Sequence, residues 1–127
     1  MIINTPVSLG ELVDKISILQ IKNINIKDDQ KLKLIREELE LLNQTLNDHI
    51  KRDDIQKYID SLIEINSKLW VIEDDIRDCE RNKNFDQKFI DLARSVYLIN
   101  DKRSKVKLDI NKKFGSKIVE VKSYEKY

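Results

Sequence analysis

Backbone breakers are nearly missing from this sequence. Two glycines and one proline stand in 127 residues, so turns are few and long helices follow. A single cysteine, Cys79, excludes an internal disulfide and a thiolate-based zinc site. A single histidine, His49, excludes a histidine-rich metal site. Net charge is scarce too: 24 Lys and Arg face 23 Asp and Glu, so no global field draws in nucleic acid or membrane. No uninterrupted apolar run is longer than that of Leu69 to Ile72, which is far too short to span a bilayer. The opening Met-Ile-Ile-Asn-Thr-Pro has no basic region followed by an apolar core, so it does not read as a signal peptide. A cytoplasmic chain is the expectation. There is no Gly-rich phosphate loop, no Ser-His-Asp set and no paired cysteine, and no cofactor is expected.

What is present is helical periodicity. Residues at 40% hydrophobic and 37% charged suit one charge-rich folded domain over 1–127. Pro6 keeps the first residues out of a helix. Ser8-Leu9-Gly10-Glu11 matches a capping box, and helix 1 follows to about Ile24, with Leu9, Leu12, Val13, Ile16 and Leu19 on one stripe. Asp28 and Asp29 supply a cap for helix 2, from about Gln30 to His49, whose seam is Leu32, Ile35, Leu39, Leu42 and Leu46. Arg52-Asp53-Asp54 reads as a break. Helix 3 carries the seam Ile55, Tyr58, Leu62, Ile65, Leu69, Ile72, Ile76, Cys79. After Arg81-Asn82-Lys83-Asn84, helix 4 runs from about Phe85 to Phe114 and stops at Gly115. The short connections imply an all-α, antiparallel up-down four-helix bundle with long helices 3 and 4. The strand-prone tail Lys117 to Lys122 and the first residues fall at the same end, where they are expected to pair as a small two-stranded ribbon.

The seam of helix 4 breaks the apolar rule. It reads Phe89, Ala93, Val96, Asn100, Arg103, Lys107, Ile110, Phe114, with three consecutive polar positions. On helix 3, Asn66 and Glu73 border the core, and Glu73 can pair with Arg77 four residues on. Such groups cost several kcal/mol each when buried alone, so they need partners or a wet cavity. Counting 1.5 Å per residue from the end that carries the termini puts Asp14 at roughly 9 Å, Lys107 at roughly 10 Å and Arg103 at roughly 16 Å. Glu73 and Arg94 come out near 30 Å, with Tyr97 about 5 Å lower. Two polar layers are therefore expected. The lower holds Glu11, Asp14, Lys15, Arg103, Lys107 and Asn111; the upper holds Glu73 and Asp74 with Arg94, Tyr97 and Asn100. A structural role, in which buried ion pairs fix register, competes evenly with a ligand site.

Other residues read as structural. His49 ends helix 2, where it complements the helix dipole. Cys79 is a small seam hydrophobe, and Trp70 is a core or groove anchor. Residues 102–126 carry nine Lys and Arg against three Asp and Glu, but without interleaved aromatics on helix 4 a solvated face explains them better than nucleic acid.

Several separated motifs occur in order: Gly10-Glu-Leu-Val-Asp-Lys15, Glu73-Asp-Asp-Ile-Arg77, Leu92-Ala-Arg94 with Val96-Tyr97 and Asn100-Asp101, and Lys122-Ser-Tyr124. Together they resemble a bacterial family of short helical proteins, domain-of-unknown-function family 6165, over nearly the whole chain. The family pattern has an acidic pair before its last Lys-Ser-Tyr, whereas this chain has Glu120-Val121-Lys122. The resemblance implies that the charged layers belong to a shared pattern, and it names no activity.

The favoured functional reading is a binding or interaction module. Arg77, Arg94, Arg103 and Lys107 would hold an anionic small molecule or the carboxylates of a protein partner, oriented by Glu11, Asp14, Lys15, Glu73 and Asp74 with Tyr97 and Asn100. Nucleic acid and membrane are not expected partners; a homodimer is left open. The alternatives are an enzyme or a scaffold. Glu11-x-x-Asp14 and Asp75-x-x-Asp78 resemble the carboxylate pairs of all-helical, Mg²⁺-dependent nucleotide pyrophosphohydrolases, although the helical rise separates the pairs by about 20 Å. A metal-free clamp similar to helical chorismate mutases would use Arg103 and Lys107. A structural coiled-coil dimer would need only the seams of helices 2 and 3.

Overall fold

The computed structural model describes residues 1–127 and contains four helices and no strand. They are α1 (Leu9–Asn25), α2 (Asp29–His49), α3 (Arg52–Arg81) and α4 (Gln87–Lys113). No helix is long and apolar enough to cross a membrane. Aspartate side chains start two of them: Asp28 accepts from the Lys31 N–H, and Asp86 accepts from the Lys88 N–H. The Asp86 cap starts α4 two residues later than periodicity implies. The Arg52-Asp53-Asp54 stretch belongs to the first turn of α3, where the two aspartates face the positive end of the dipole.

Helix α1 is the hub. It packs against α2, α3 and α4, and α3 packs along α4. Cross-helix pairs set the directions. Gly10 meets Asn111 and Asp14 meets Arg103, so α1 and α4 are antiparallel. Asp14 meets Asn66, while Ile18 and Ile21 lie with Leu69 and Trp70, so α1 and α3 run the same way. The fully buried core sits at the end carrying the termini: Val13, Ile16, Leu46, Ile55, Ile59, Leu62 and Ile110. Tyr58 and Phe114 close that end, ring edge to face at 5.8 Å. Helix α2 buries only Ile35 and Leu46, which fits its place on the outer side of α1.

Length decides the rest. Seventeen residues of α1 reach about 25 Å, whereas thirty of α3 reach about 45 Å. Beyond the end of α1, α3 and α4 continue as a two-helix hairpin, with Cys79 buried and Phe85 edge-on to Phe89.

The ribbon expected from the two ends is absent, because both ends are non-strand. The tail instead turns back onto α4. Glu120 pairs with Lys107, the Tyr127 hydroxyl donates to Asp101, and the Tyr127 ring packs edge-on to Tyr97. Charge pairing with α4 thus replaces the strand pairing that β-branched residues favour in isolation.

Both long helices end in Schellman turns. Gly115, at φ 67°, serves α4, and the Ser116 N–H donates to the Asn111 carbonyl. In α3 the same role falls to Lys83 at φ 53°, with the Asn84 N–H donating to the Cys79 carbonyl. A lysine there carries a Cβ penalty of about 1 kcal/mol that glycine avoids. Lys83→Gly is therefore expected to raise stability in urea unfolding by roughly 0.5 kcal/mol, after the entropy that glycine adds to the unfolded chain.

Candidate functional site

The site begins with one carboxylate. Asp14 is 1% exposed, on the inner face of α1. It accepts from Arg103 twice: Nε reaches Oδ1 at 2.9 Å, and Nη2 reaches Oδ2. Asn66 of α3 donates from Nδ2 to Asp14 Oδ1 at 2.9 Å and to Ser17 Oγ at 2.8 Å. The Ser17 hydroxyl in turn donates to the Asp14 backbone carbonyl at 2.6 Å. Three helices thus converge on one buried charge, and every fully buried side-chain polar atom has a partner. The hydrogen bond to Asp14 raises the Arg103 pKa against the opposing effect of burial.

One turn toward the termini, the Lys107 ammonium lies between Glu11 at 2.7 Å and Glu120 at 2.9 Å. Burial pulls its pKa down, and the two carboxylate hydrogen bonds outweigh that pull, leaving it raised. Glu120 also binds Lys122 at 2.7 Å, and these two lysines hold its carboxyl at about 2. Gly10 makes this closeness possible. Its N–H donates to Asn111 Oδ1 at 2.7 Å, and a Cβ there would lie 2.5 Å from the Lys107 carbonyl oxygen.

The expected lower layer therefore exists, with one departure. Glu11, Asp14, Arg103, Lys107 and Asn111 come together, while Lys15 turns outward to Glu38 on α2 at 3.0 Å. One step along a helix rotates a side chain by about 100°, which carries residue 15 away from the face of residue 14. The expected upper layer does not form as a buried layer, because no third helix reaches that height. Arg94 is exposed beside Tyr97, whose hydroxyl raises its pKa. Tyr97 is itself exposed beside the tail. Glu73 and Arg77 pair along α3 at 3.2 Å on the surface.

A cleft of about 340 Å³ opens where α1 stops and α3 and α4 go on. Ile18, Ile21 and Leu69 form its apolar side, with Trp70 beside them. Its polar wall is Asn66, Glu73, Asp74 and Arg77 from α3, and Asn100 and Arg103 from α4. Arg103 spends Nε and Nη2 on Asp14; Nη1 has only a 3.4 Å contact to Asn100 Oδ1. One edge of the guanidinium is thus fixed, and the other keeps donor capacity. The cleft unites Glu73, Asp74, Arg77, Asn100 and Arg103 of the expected site residues and leaves out Arg94 and Tyr97. No three His, Cys, Asp or Glu side chains converge where they could hold a metal ion. Of the two acidic pairs, Asp14 is committed to Arg103, and Asp78 is paired with Arg81.

Sequence reasoning missed Ser17, Ile18, Ile21, Glu120 and Lys122. Ser17 had a signal: it sits three residues after Asp14 on the same helical face. Glu120 and Lys122 were marked only by the family resemblance, through the Lys122-Ser-Tyr124 motif and the stretch before it, since they lie beyond the last helix, where periodicity says nothing.

Two outcomes follow from this geometry. Gly10→Ala is expected to destabilise the fold by about 2–3 kcal/mol in chemical denaturation, because the new methyl group meets backbone and α1 must move off α4. Glu120 titrates at about 2 in the folded chain against 4.5 unperturbed. Its carboxyl pKa is lowered on folding, so the tail contact is complete above pH 4.5 and is lost as pH falls toward 2. NMR of the Glu120 side chain should show that low midpoint, and Lys107→Met should move it upward.

Comparison with known proteins gives one match. No curated protein and no solved structure matches the chain. A family model matches residues 3–127, nearly the whole chain, and the protein thus belongs to the family of unknown function DUF6165.

Proposed function

We propose that this protein is a binding module whose cleft between α1, α3 and α4 takes a small ligand by its anionic group. The observation that carries the reading is the state of Arg103. Its guanidinium is locked by a buried carboxylate on one edge and keeps donors on the other, beside a cleft with an apolar side. A planar fork that is already immobilised loses little entropy when it binds a carboxylate or phosphate. Asn100 of α4 and Arg77 of α3 add donors around the same space. The volume lies at the small end of the roughly 300–1,000 Å³ usual for ligand pockets.

Trp70 is the sole tryptophan and lines the cleft, so its fluorescence reports occupancy directly. Small carboxylates and inorganic phosphate are to be titrated while that signal and the melting temperature are followed. A binder at ten times its Kd should stabilise the fold by about 1.4 kcal/mol. The control is Asp14→Leu with Arg103→Met, which removes the buried carboxylate and its half-buried partner together and avoids stranding either. It is expected to fold and to lose the response. Full binding by that double variant would refute the reading.

A further inference from the structure

The cleft is polarised as well as charged. Its α4 wall offers mainly donors: the outer edge of Arg103, and the Asn100 amide N–H groups, which make no hydrogen bond of their own. Its α3 wall offers mainly acceptors. Asn66 makes both of its hydrogen bonds through Nδ2, which leaves its Oδ1 for the cleft. Glu73 and Asp74 stand above it; Glu73 is bound on one side by Arg77, while Asp74 lines the cleft without an ion pair of its own. Between the two walls lie Ile18, Ile21, Leu69 and Trp70.

A purely anionic ligand matches only half of this surface. A phosphate drawn to Arg103 would bring its charge near Asp14, Glu73 and Asp74, three carboxylates against Arg77 and Arg103. A purely cationic ligand fails at the other wall. A molecule with a carboxylate at one end and an ammonium beside it satisfies both walls at once, and it leaves the net charge of the cleft unchanged.

Resting on the reading of the cleft as a binding site, we infer that its ligand is a small zwitterion, a free α-amino acid with an apolar side chain. The carboxylate takes the Arg103 edge and the Asn100 amide. The ammonium donates to Asn66 Oδ1, and the Glu73 and Asp74 carboxylates, about two turns further along α3, favour its positive charge from there. The side chain lies against Ile18, Ile21 and Leu69, under Trp70. Charge recognition at both ends discriminates sharply, because removing either charge leaves the facing protein groups desolvated and unpaired.

The test uses the full chain and Trp70 fluorescence, supported by calorimetry. L-leucine and L-phenylalanine are the probes; N-acetyl-L-leucine lacks the ammonium and L-leucinamide lacks the carboxylate. The free amino acid is expected to bind at least tenfold more tightly than either blocked form. Glu73→Gln with Asp74→Asn, both outside the core, should weaken L-leucine about tenfold and should not weaken N-acetyl-L-leucine, an anion that gains from the loss of two nearby carboxylates. Equal binding of L-leucine and N-acetyl-L-leucine overturns the zwitterion and leaves the anionic reading standing, as does a response to phosphate or succinate alone. L-leucine binding that ignores the Glu73 and Asp74 substitutions also overturns it. Silence from every probe overturns both readings.

Discussion

A carboxylate at 1% exposure is tolerable only if it is fully answered, and the arrangement of this protein depends on how Asp14 is answered. The answer comes from Arg103 on α4 and Asn66 on α3, with Ser17 tying Asn66 back to α1. An apolar contact at this point could slide by a turn and still be an apolar contact. A bidentate pair cannot: a slip of one turn, about 5.4 Å, would strand both charges. The pair therefore ties α1 to α4, Asn66 ties α3 to the same carboxylate, and the close approach of Gly10 to the Lys107 carbonyl fits the same alignment.

The cleft is the second consequence of that register. Because Asp14 fixes α1 against Arg103, the last turns of α1 end partway up α3 and α4. The longer helices continue without a third partner. Their inner faces there carry Trp70, Glu73 and Arg77, residues that tolerate water at one end and apolar contact at the other. Glu73 placed about three turns lower would face the fully buried Leu62 layer and would need a partner to stay charged.

Much of the lower half was legible before any coordinates. Ser8 and Asp28 announce their helices, and counting helical rise brings Asp14, Arg103 and Lys107 near one another because all three lie on long, uninterrupted helices. The capping box was only half right. Ser8 accepts from the Glu11 N–H, but the Glu11 carboxylate leaves its own cap for Lys107, a charged partner from another helix. The upper layer was misjudged because height alone does not bury a residue. Arg94 and Tyr97 stand where α1 no longer covers α4. The tail misled for a related reason. Ile118, Val119 and Val121 favour a strand, yet a strand needs a partner, and Glu120 found two lysines first.

Whether a buried charged group is part of a site or of the framework is decided by what it has left over. Lys107 has little left over: carboxylates bracket it from α1 and from the tail, and two of its three N–H donors are taken. Arg103, four residues away on the same helix, is open. It gives two donors to Asp14 and keeps an edge whose only contact is a long one to Asn100. Asn66, on the other side of Asp14, likewise spends its amide N–H groups and keeps its oxygen. Fixing register alone does not require a donor on one wall and an acceptor on the other, facing the same cleft. That residual capacity, more than the buried charge itself, is what the proposed binding role rests on.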